Sequence, residues 1–396
     1  MTDAPSPAPE AGPLDVGALR PHYSAFLTPG RVLLTGHSHQ AWPDVARAGM
    51  LEAFEDAAAH VDDKWSRALA CADDIRASLA SNLGARPEEF ALGANTHELI
   101  ARCLSTLPEG RRRHLVTTDG EFHSITRQLR RLAEEGVEIT WVPAQPVDTL
   151  AERLASEIRP DTGAVMVSTV LFGTGHAVPH LRACVDAAHR HGARIILDAY
   201  HAYGVRPFAL SDFGPDPIYM VGGGYKYVQW GEGVCWLRTP AGCTDRPVYT
   251  GWFAEFAQLD APRHPGEVLY GGGGAGRYAG STYDPVSHYR ARAVIRFFES
   301  QGMTPKRLQA LYSRQTQRII DGLPPQWTLL SPREASRRGG FVSVRHPKAA
   351  EVVTHLRGLG IYTDARGERL RLGPAPYILD DEIDQALAAL RAPELQ

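Results

Sequence analysis

The chain has 396 residues, and because one hydrophobic core rarely grows beyond about 250–300 residues, two domains are predicted. Hydrophobic residues make up 43% of the chain and charged residues 22%, as in ordinary soluble globular proteins. The net charge of −3 comes without a basic block or an acidic tail, which argues against nucleic acid or a membrane surface as the main partner.

The N-terminus and the cysteines bear on the cellular compartment. Residues 1–13 are rich in Pro and Ala and lack the charged and apolar regions of a signal peptide, so a disordered tail is predicted. No run approaches the roughly 18 apolar residues of a membrane-spanning helix. The five cysteines include no C-x-x-C pair and are expected to be buried thiols. These features predict a cytoplasmic protein.

Residues 14–43 are predicted to form an N-terminal segment that packs on a small domain and on the active site. Apolar residues at helical spacing predict helices over 43–60 and 67–83. Helical patterns then separate five strand-like runs, which favours right-handed βαβ units in a mostly parallel sheet. The runs cover 114–118, 137–142, 164–169, 194–198 and 217–221. The large domain is therefore predicted over 44–285.

A smaller α/β domain is predicted over 286–396. Its patterns include a long helix at 286–300, a helix near 348–359 and two short strands on either side of residue 367. The predicted fold class is thus α/β, with a mostly parallel sheet in the large domain and a smaller C-terminal α/β domain. In open parallel sheets, ligands bind beyond the carboxyl ends of the strands, so functional residues are expected there.

Lys226 follows the last predicted strand of the large domain, in the glycine-rich loop VGGGYKYVQWGEG. Only four of the 42 basic residues are lysines, and the other three (Lys64, Lys306 and Lys348) lie in polar runs that indicate solvated surface. An amine, unlike a guanidinium, can lose its proton, attack a carbonyl and form a Schiff base. The position of Lys226 therefore predicts a covalent role.

Two other groups of polar residues follow strands or open helices. Asp198, with His201 three residues later, ends the strand at 194–198; it caps the next turn or accepts a hydrogen bond from the ring nitrogen of a cofactor. Pyridoxal phosphate (PLP) needs such a partner, because a protonated pyridine ring is a better electron sink for a carbanion. Asn95 and Thr96 open a predicted helix, where they form an ordinary N-cap or bind a phosphate.

An aromatic residue and a pair of histidines also have two interpretations each. Phe122 follows the strand at 114–118, where it stacks on a cofactor ring or belongs to the core. His37 and His39 have the spacing of metal ligands, but no cysteine or paired acid stands nearby in the sequence, so no metal site is predicted. They serve a substrate pocket or are core histidines.

Several short motifs occur together in one order along the chain. They are F-H-S (122–124), D-A-Y-H (198–201), G-Y-K-Y (224–227) and G-W-F (251–253). With these motifs, the chain resembles the class V, fold-type I PLP-dependent enzymes, and most closely the kynureninase family. The resemblance extends from about Gly36 to Tyr377.

This resemblance implies PLP as the cofactor and a fold-type I architecture. In the family pattern, Lys226 carries the cofactor as a Schiff base, Asp198 faces the pyridine nitrogen, and Tyr225 and Trp252 reach the phosphate. Because Tyr225 stands beside the lysine, it is also expected to be a proton relay. Thr282 matches a threonine that reaches the cofactor phosphate of the neighbouring subunit, which implies a homodimer with shared active sites. The implied cofactor contacts are Asn95, Thr96, Phe122, Ser168, Asp198, His201, Tyr225, Lys226, Trp252 and Thr282.

The resemblance also implies substrate contacts. Arg371 matches the arginine that grips the substrate α-carboxylate, a pairing that suits its planar fork. Arg366 is the rival for this role, and a surface ion pair is the alternative for Arg371. His37 and Ser38, together with Trp42, are expected to contribute to a pocket for an aromatic ring, although the family has an asparagine where His37 stands.

The activity that the resemblance implies is hydrolytic cleavage of the Cβ–Cγ bond of L-kynurenine or 3-hydroxykynurenine. The products are anthranilate or 3-hydroxyanthranilate and L-alanine, in tryptophan catabolism. The alternatives are a class V aminotransferase or another PLP-dependent lyase acting on an amino acid. A desulfurase has less support, because the last cysteine, Cys243, follows Lys226 too closely to lie on a distant mobile loop. A binding module without activity is opposed by the joint presence of Lys226, Asp198 and His201.

Overall fold

The computed structural model describes residues 12–108, 110, 113–271 and 274–395. The tail predicted over 1–13 lies outside this part of the chain, except for positions 12 and 13. The helices are α1 (Val16–Leu19), α2 (Val45–His60), α3 (Lys64–Leu83), α4 (Thr96–Ser105), α5 (His123–Glu134), α6 (Leu150–Ser156), α7 (Leu181–His191), α8 (Val286–Ser300), α9 (Pro305–Gly322), α10 (Ala349–Gly358) and α11 (Asp380–Ala389). None of these helices is long and apolar enough to cross a membrane.

The strands, in chain order, form three sheets. They are β1 (Val32–Leu33), β2 (Phe90–Gly93), β3 (His114–Thr118), β4 (Glu138–Val142), β5 (Thr162–Ser168), β6 (Arg194–Asp198), β7 (Tyr219–Gly223), β8 (Cys235–Arg238), β9 (Thr328–Leu329), β10 (Val342–Arg345), β11 (Ile361–Tyr362), β12 (Asp364–Arg366) and β13 (Arg369–Leu372). The strand β7 begins two residues later than predicted, because Pro217 has no N–H to give to a sheet.

A seven-stranded sheet forms the centre of the large domain, in the order β2-β8-β7-β6-β5-β3-β4. The pairs among β3, β4, β5, β6 and β7 are parallel, whereas β8 runs antiparallel to both of its neighbours. The helices α5, α6 and α7 provide crossovers between parallel strands, while the short loop between β7 and β8 suits only an antiparallel pair. The predicted α/β class with a mostly parallel sheet is confirmed.

Both faces of this sheet are buried. In β5, Val165 and Val167 contribute to a core shared with α3, α6, α7 and α8, while Ala164 and Met166 contribute to a core shared with α4 and α5. All seven residues of β5 are buried, the pattern of a strand covered by helices on both sides. The short strands β2 and β8 were missed, since four residues are too few to show a period.

A further core joins the C-terminal part of the chain to the N-terminal segment. An antiparallel sheet, in the order β12-β13-β10-β9, packs with α9, α10 and α11. Leu19, Tyr23 and Leu34 belong to the same core, and β1 pairs in parallel with β11. Helix α8 places Val294 in the large-domain core and Phe297 in this one. The domain boundaries at 43/44 and 285/286 stay a prediction.

Candidate active site

Lys226 lies in the loop between β7 and β8, and its side chain is buried. A Cβ atom on Gly223, at the end of β7, would come within 2.3 Å of the Tyr200 hydroxyl oxygen. Gly231 and Gly233 have φ angles of +71° and +95°, in the region that favours glycine. The glycines therefore let the loop turn sharply and place Lys226 at the carboxyl end of the parallel strands.

The Lys226 amine is surrounded mainly by rings. Its Nζ lies 2.8 Å from Nε2 of His201. Burial lowers the pKa of Lys226 to about 7, against the opposing effect of the Asp198 charge. A large fraction of the amine is therefore neutral near pH 7 and can act as a nucleophile. Three more rings have their centres near Nζ: Tyr200 at 4.6 Å, Phe122 at 5.4 Å and Tyr225 at 5.6 Å.

His201 is buried beside the amine. Burial, and after it the charge of Lys226, hold the pKa of His201 well below its usual value, so the imidazole is neutral. When Nε2 accepts a hydrogen bond from Lys226, the ring proton is on Nδ1. That atom has no hydrogen-bond partner among the described residues. Because an unpaired buried donor costs stability, Nδ1 of His201 indicates that a further polar group belongs in this site.

Asp198 is the last residue of β6 and is buried. Its Oδ1 accepts a hydrogen bond from the backbone N–H of Tyr200 at 2.8 Å. Burial raises the pKa of Asp198, while this hydrogen bond and the charge of Lys226 lower it. The turn contact that was one of the two interpretations of Asp198 is therefore present, and it engages one of the two carboxylate oxygens.

The start of α4 is capped by Asn95. The Oδ1 atom of Asn95 accepts a hydrogen bond from the backbone N–H of Glu98 at 2.9 Å, and Nδ2 donates to the Glu98 carboxylate at 2.9 Å. The interpretation of Asn95 as an N-cap is thus correct for this structure. The partial positive charge of the helix start still favours an anion near Asn95 and Thr96.

These residues share a cavity of about 280 Å³ at the carboxyl ends of β5, β6 and β7. Pockets for small ligands commonly have volumes of roughly 300–1,000 Å³, so the size suits a small cofactor. The predicted site residues that line this cavity are Asn95, Thr96, Phe122, Ser168, Asp198, His201, Tyr225 and Lys226. The structure therefore brings together most of the predicted cofactor contacts.

Glu121 is buried behind the cavity and was missed by the sequence analysis. Its carboxylate accepts hydrogen bonds from the Thr118 hydroxyl at 2.6 Å, from the Ser168 backbone N–H at 3.2 Å and from the Ser168 hydroxyl. Burial raises the pKa of Glu121 to about 7, although these hydrogen bonds oppose the shift. Its position directly before Phe122 is the signal that was available.

Three side chains that line the cavity were also missed. The Tyr200 ring lies 5.2 Å from that of Tyr225, and its hydroxyl lies 3.6 Å from Sγ of Cys235. Glu232 is exposed at the cavity. The D-A-Y-H motif contains Tyr200 and offered a signal for it, whereas Cys235 lies on β8, a strand that the sequence did not reveal.

Trp252 and Thr282 do not line the cavity of their own chain. The Trp252 Nε1 donates a hydrogen bond to the Thr282 hydroxyl at 3.3 Å, and both side chains are exposed. Thr282 lines a larger cavity of about 1,000 Å³, which shares Ala94 and Gly233 with the first. Within one chain, the structure therefore places these two residues apart from Lys226.

Arg371 is buried and paired with Asp364 across the β12–β13 hairpin. Its Nε donates to Asp364 Oδ1 at 2.9 Å, its Nη2 donates to Oδ2, and its Nη1 donates to the carbonyl oxygen of Phe172 at 3.0 Å. Phe172 lines the Lys226 cavity, although Arg371 itself does not. The rival, Arg366, is exposed and lies 3.7 Å from Asp364. Of the two arginines, Arg371 is the one connected to the cavity.

The N-terminal segment meets Asp364 rather than the cavity. His37 is fully buried, and its Nε2 lies 2.8 Å from Asp364 Oδ1. Ser38 donates its hydroxyl to a backbone carbonyl of its own turn at 3.2 Å. Trp42, which was expected in a ring pocket, packs instead against the Arg290 guanidinium, 4.4 Å from the centre of the indole. None of these three residues lines the cavity.

The sequence of this chain is similar to those of kynureninases. The sequence-family model described as the kynureninase C-terminal domain matches residues 306–390 of this chain. A kynureninase of Deinococcus radiodurans is 27% identical over 93% of this chain and 91% of the relative. A kynureninase of Pseudomonas fluorescens is 27% identical over 94% of this chain and 92% of the relative. The resemblance to kynureninases is thus confirmed over most of the chain.

The fold of this chain resembles those of solved structures that include the following two. A C-DES mutant with glycine covalently linked to its PLP cofactor superposes with a TM-score of 0.82 at 20% identity, over 94% of this chain and 98% of that one. A cysteine desulfurase from Thermococcus onnurineus gives a TM-score of 0.76 at 20% identity, over 91% and 94%. The predicted fold-type I architecture is therefore confirmed, and the bound cofactor of the first structure agrees with the cofactor predicted for this chain.

Proposed function

We propose that this chain is a PLP-dependent enzyme that hydrolyses the Cβ–Cγ bond of L-kynurenine, or of its 3-hydroxy form, to an anthranilate and L-alanine. The observation that carries the proposal is the Lys226 amine, which is buried near Asp198 at the carboxyl end of the sheet and has its pKa lowered to about 7. The kynureninases that align with 93% and 94% of the chain support the substrate. The reaction would serve tryptophan catabolism in the cytoplasm.

The cavity fits PLP in its donors and acceptors. Lys226 is the nucleophile that would hold the cofactor, the start of α4 at Asn95 and Thr96 would face its phosphate, and Asp198 would face its pyridine nitrogen. The unpaired Nδ1 of His201 is a donor that such a ligand can satisfy. When bound, PLP supplies an electron sink for negative charge at the substrate Cα.

Two residues of the chain would carry out the proton transfers, one as a base and one as a proton donor. Lys226, with a pKa of about 7, is a suitable base for the Cα proton at neutral pH. Burial raises the pKa of Tyr225 to about 12, so this phenol keeps its proton and can donate it to the substrate. The rings of Tyr200 and Phe122 beside Nζ keep bulk water from the amine.

Recognition of the substrate is assigned to Arg371, which lies behind the cavity wall at Phe172, and to two exposed side chains near the cavity. Arg371 retains N–H groups for the α-carboxylate beyond those that it donates to Asp364 and Phe172. His39 is exposed, with its ring 5.9 Å from that of Tyr225, and Glu232 is exposed on the lining. We propose that these two side chains meet the amino-substituted ring of a kynurenine.

The test is a product analysis with purified protein, PLP and L-kynurenine in the absence of any keto acid. We expect anthranilate and L-alanine in equal amounts, together with a change in the visible spectrum of the cofactor. Consumption of kynurenine only when a keto acid is supplied would remove the hydrolase assignment and leave the PLP assignment in place. The exposed Lys348→Arg variant is the control and should behave as wild type.

A class V aminotransferase is the second candidate. A Bacillus subtilis relative described as an uncharacterized aminotransferase is 22% identical over 88% of this chain and 90% of the relative. The same lysine and aspartate serve transamination, so the keto-acid dependence decides between the two. Desulfuration is not favoured, because all five cysteines are buried and burial raises the pKa of Cys235 to about 11, which keeps the thiol protonated.

We also propose a homodimer in which Thr282 and Trp252 complete the site of the other subunit. Both are exposed in a region where Val248, Tyr249 and Phe256 also expose apolar surface. Mixing inactive Lys226→Ala chains with inactive Thr282→Glu chains should restore roughly a quarter of the wild-type activity, because half of the two-fold dimers then carry one intact site. An active monomer by light scattering would contradict the shared site.

A further inference from the structure

Three of the five N–H groups of Arg371 are engaged inside the protein. Nε and Nη2 hold the two oxygens of Asp364, and Nη1 holds the carbonyl of Phe172. One N–H on Nη1 and one on Nη2 are left, since a guanidinium carries five in a fixed plane. An arginine whose Nε edge is taken in this way can receive one further carboxylate, on its remaining edge.

Asp364 is in turn held by His37. The His37 Nε2 lies 2.8 Å from Asp364 Oδ1, and the imidazole stacks on Phe341 with a centroid distance of 4.8 Å and an angle of 28°. Burial lowers the pKa of His37 to about 4, so the neutral ring donates from Nε2. Its Nδ1 has no hydrogen-bond partner among the described residues. His37 therefore orients Asp364 without adding a charge to the pair.

The cluster of His37, Asp364 and Arg371 is separated from the cavity by one layer of side chains. Phe341 contacts His37 on one side, and its ring lies 5.6 Å from that of His201. Phe172 accepts the Arg371 hydrogen bond through its backbone, while its ring meets the Phe122 ring edge to face at 5.3 Å. Arg371 is thus fixed on two sides, by a carboxylate and by a residue of the cavity wall.

We propose that Asp364, held by His37, is a positioning residue for carboxylate recognition: it fixes the plane of Arg371 so that the two remaining N–H groups receive one substrate carboxylate. The inference rests on the proposed function, because it takes Arg371 as the partner of the substrate. The proposed arrangement restricts the substrate to amino acids that bring one carboxylate to Arg371. The negative charge of Asp364 would repel a second carboxylate there. If the Asp364–Arg371 ion pair were only structural, changing it would affect the stability of the fold, and the affinities for ligands with and without a carboxylate would change equally.

The experiment compares L-alanine with ethylamine, the same amine without its carboxylate, as ligands of the PLP-loaded protein. Binding is followed by the visible absorption of the cofactor, which does not depend on turnover. Wild-type protein should bind L-alanine at least about tenfold more tightly than ethylamine, the ratio expected for hydrogen bonds to a charged group. The ratio of the two dissociation constants reports carboxylate recognition by itself.

Three substitutions, at two positions, test the positioning without changing the charge. Asp364→Glu keeps the carboxylate but moves it by one methylene, and it should cut the preference for L-alanine about tenfold while ethylamine binding stays within about twofold of wild type. His37→Leu removes the donor to Asp364 and should cause part of this loss, whereas His37→Gln restores a donor and should recover the wild-type ratio. Asp384→Glu, in the exposed pair with Arg318, is the matched control and should change neither ligand.

The possible outcomes are distinct. If Asp364→Glu keeps the wild-type preference, or weakens both ligands equally, Asp364 has only a structural role and the inference is overturned. If wild-type protein shows a cofactor band but binds ethylamine as tightly as L-alanine, the inference falls while the PLP site stands. If wild-type protein shows no cofactor band, the proposed function fails, and the inference that rests on it fails too. Loss of folding in Asp364→Glu leaves the decision to the two His37 variants, which carry the same prediction.

Discussion

Two buried bases, Lys226 and Arg371, each lie near an aspartate, and their contacts differ. Arg371 holds both oxygens of Asp364. Lys226 makes no ion pair with any described carboxylate; its Nζ meets His201 and aromatic rings, while Asp198 accepts its hydrogen bond from a backbone N–H. The charge of Arg371 is thus neutralised inside the protein by Asp364, whereas the amine of Lys226 has no carboxylate partner of this kind.

The difference follows from the chemistry of the two groups. A guanidinium stays protonated, so a paired anion favours its burial, and the pair then fixes its orientation. An amine can answer burial by losing its proton, and the pKa of Lys226 falls to about 7. Pairing therefore gives Arg371 a defined direction, whereas the lack of pairing allows Lys226 to lose its proton near neutral pH.

The largest effect is expected where the amine itself is replaced. Lys226→Arg keeps a cation but removes the group that can become a nucleophile, so activity should fall to background. Borohydride treatment of the PLP-loaded wild type should fix the cofactor on the peptide that contains Lys226, as mass spectrometry can show. Cofactor fixed on Lys64, Lys306 or Lys348 instead would contradict the assignment, and Lys348→Arg is the matched control.

A smaller effect is expected from the aspartate near the amine. Asp198→Asn removes the charge that would face the pyridine nitrogen, and turnover should fall by about 10²–10³, the size of other lost electrostatic contributions in catalysis. Folding should survive, because an amide oxygen can still accept the Tyr200 N–H bond. The measurements are kcat and circular dichroism. Wild-type turnover in Asp198→Asn would mean that Asp198 is only a turn cap.

The Lys226 side of this comparison could be predicted from the sequence, because its signals are local. A strand of apolar residues leads into Asp198, and a glycine loop follows the next strand at Lys226. Residues that follow neighbouring parallel strands meet at one edge of the sheet. The sequence therefore predicts that Lys226, Asp198 and His201 lie together, and all three line one cavity.

The Arg371 side could not be predicted in the same way. The pairing of Asp364 with Arg371 depends on the register of a hairpin of short strands, and its contact with His37 joins the two ends of the chain. Glu121, in the loop before α5, accepts hydrogen bonds from Ser168, the last residue of β5. Trp42 was misplaced because no motif or periodicity pointed to Arg290, the buried side chain that packs on its indole. Contacts of this kind follow from packing between distant segments, which periodicity and motifs do not report.

The smallest expected effect concerns the titration of Lys226. In the cofactor-free protein its pKa is about 7, against roughly 10.4 for an ordinary lysine, so the neutral fraction of the amine rises about tenfold between pH 6 and pH 8. The rate of PLP uptake, followed by visible absorption, should rise by the same factor and then level off. Asp198→Asn should move the midpoint to lower pH, because the Asp198 charge favours the protonated amine.

The protonation of Lys226 also makes the free energy of unfolding depend on pH, in a direction that follows from its lowered pKa. Between about pH 7 and pH 10 the unfolded chain binds a proton at Lys226 that the folded chain does not, so the free energy of unfolding rises with pH in this window. Below about pH 7 both states are protonated, and the cost of burying the charge is then present in full. Lys226→Met should remove this part of the slope in urea unfolding of the cofactor-free protein. Two results together would contradict this: a midpoint of PLP uptake near pH 10, and the same dependence of the unfolding free energy on pH in Lys226→Met as in wild type. They would show that the amine is protonated at neutral pH. The lack of an ion pair would then not make Lys226 reactive.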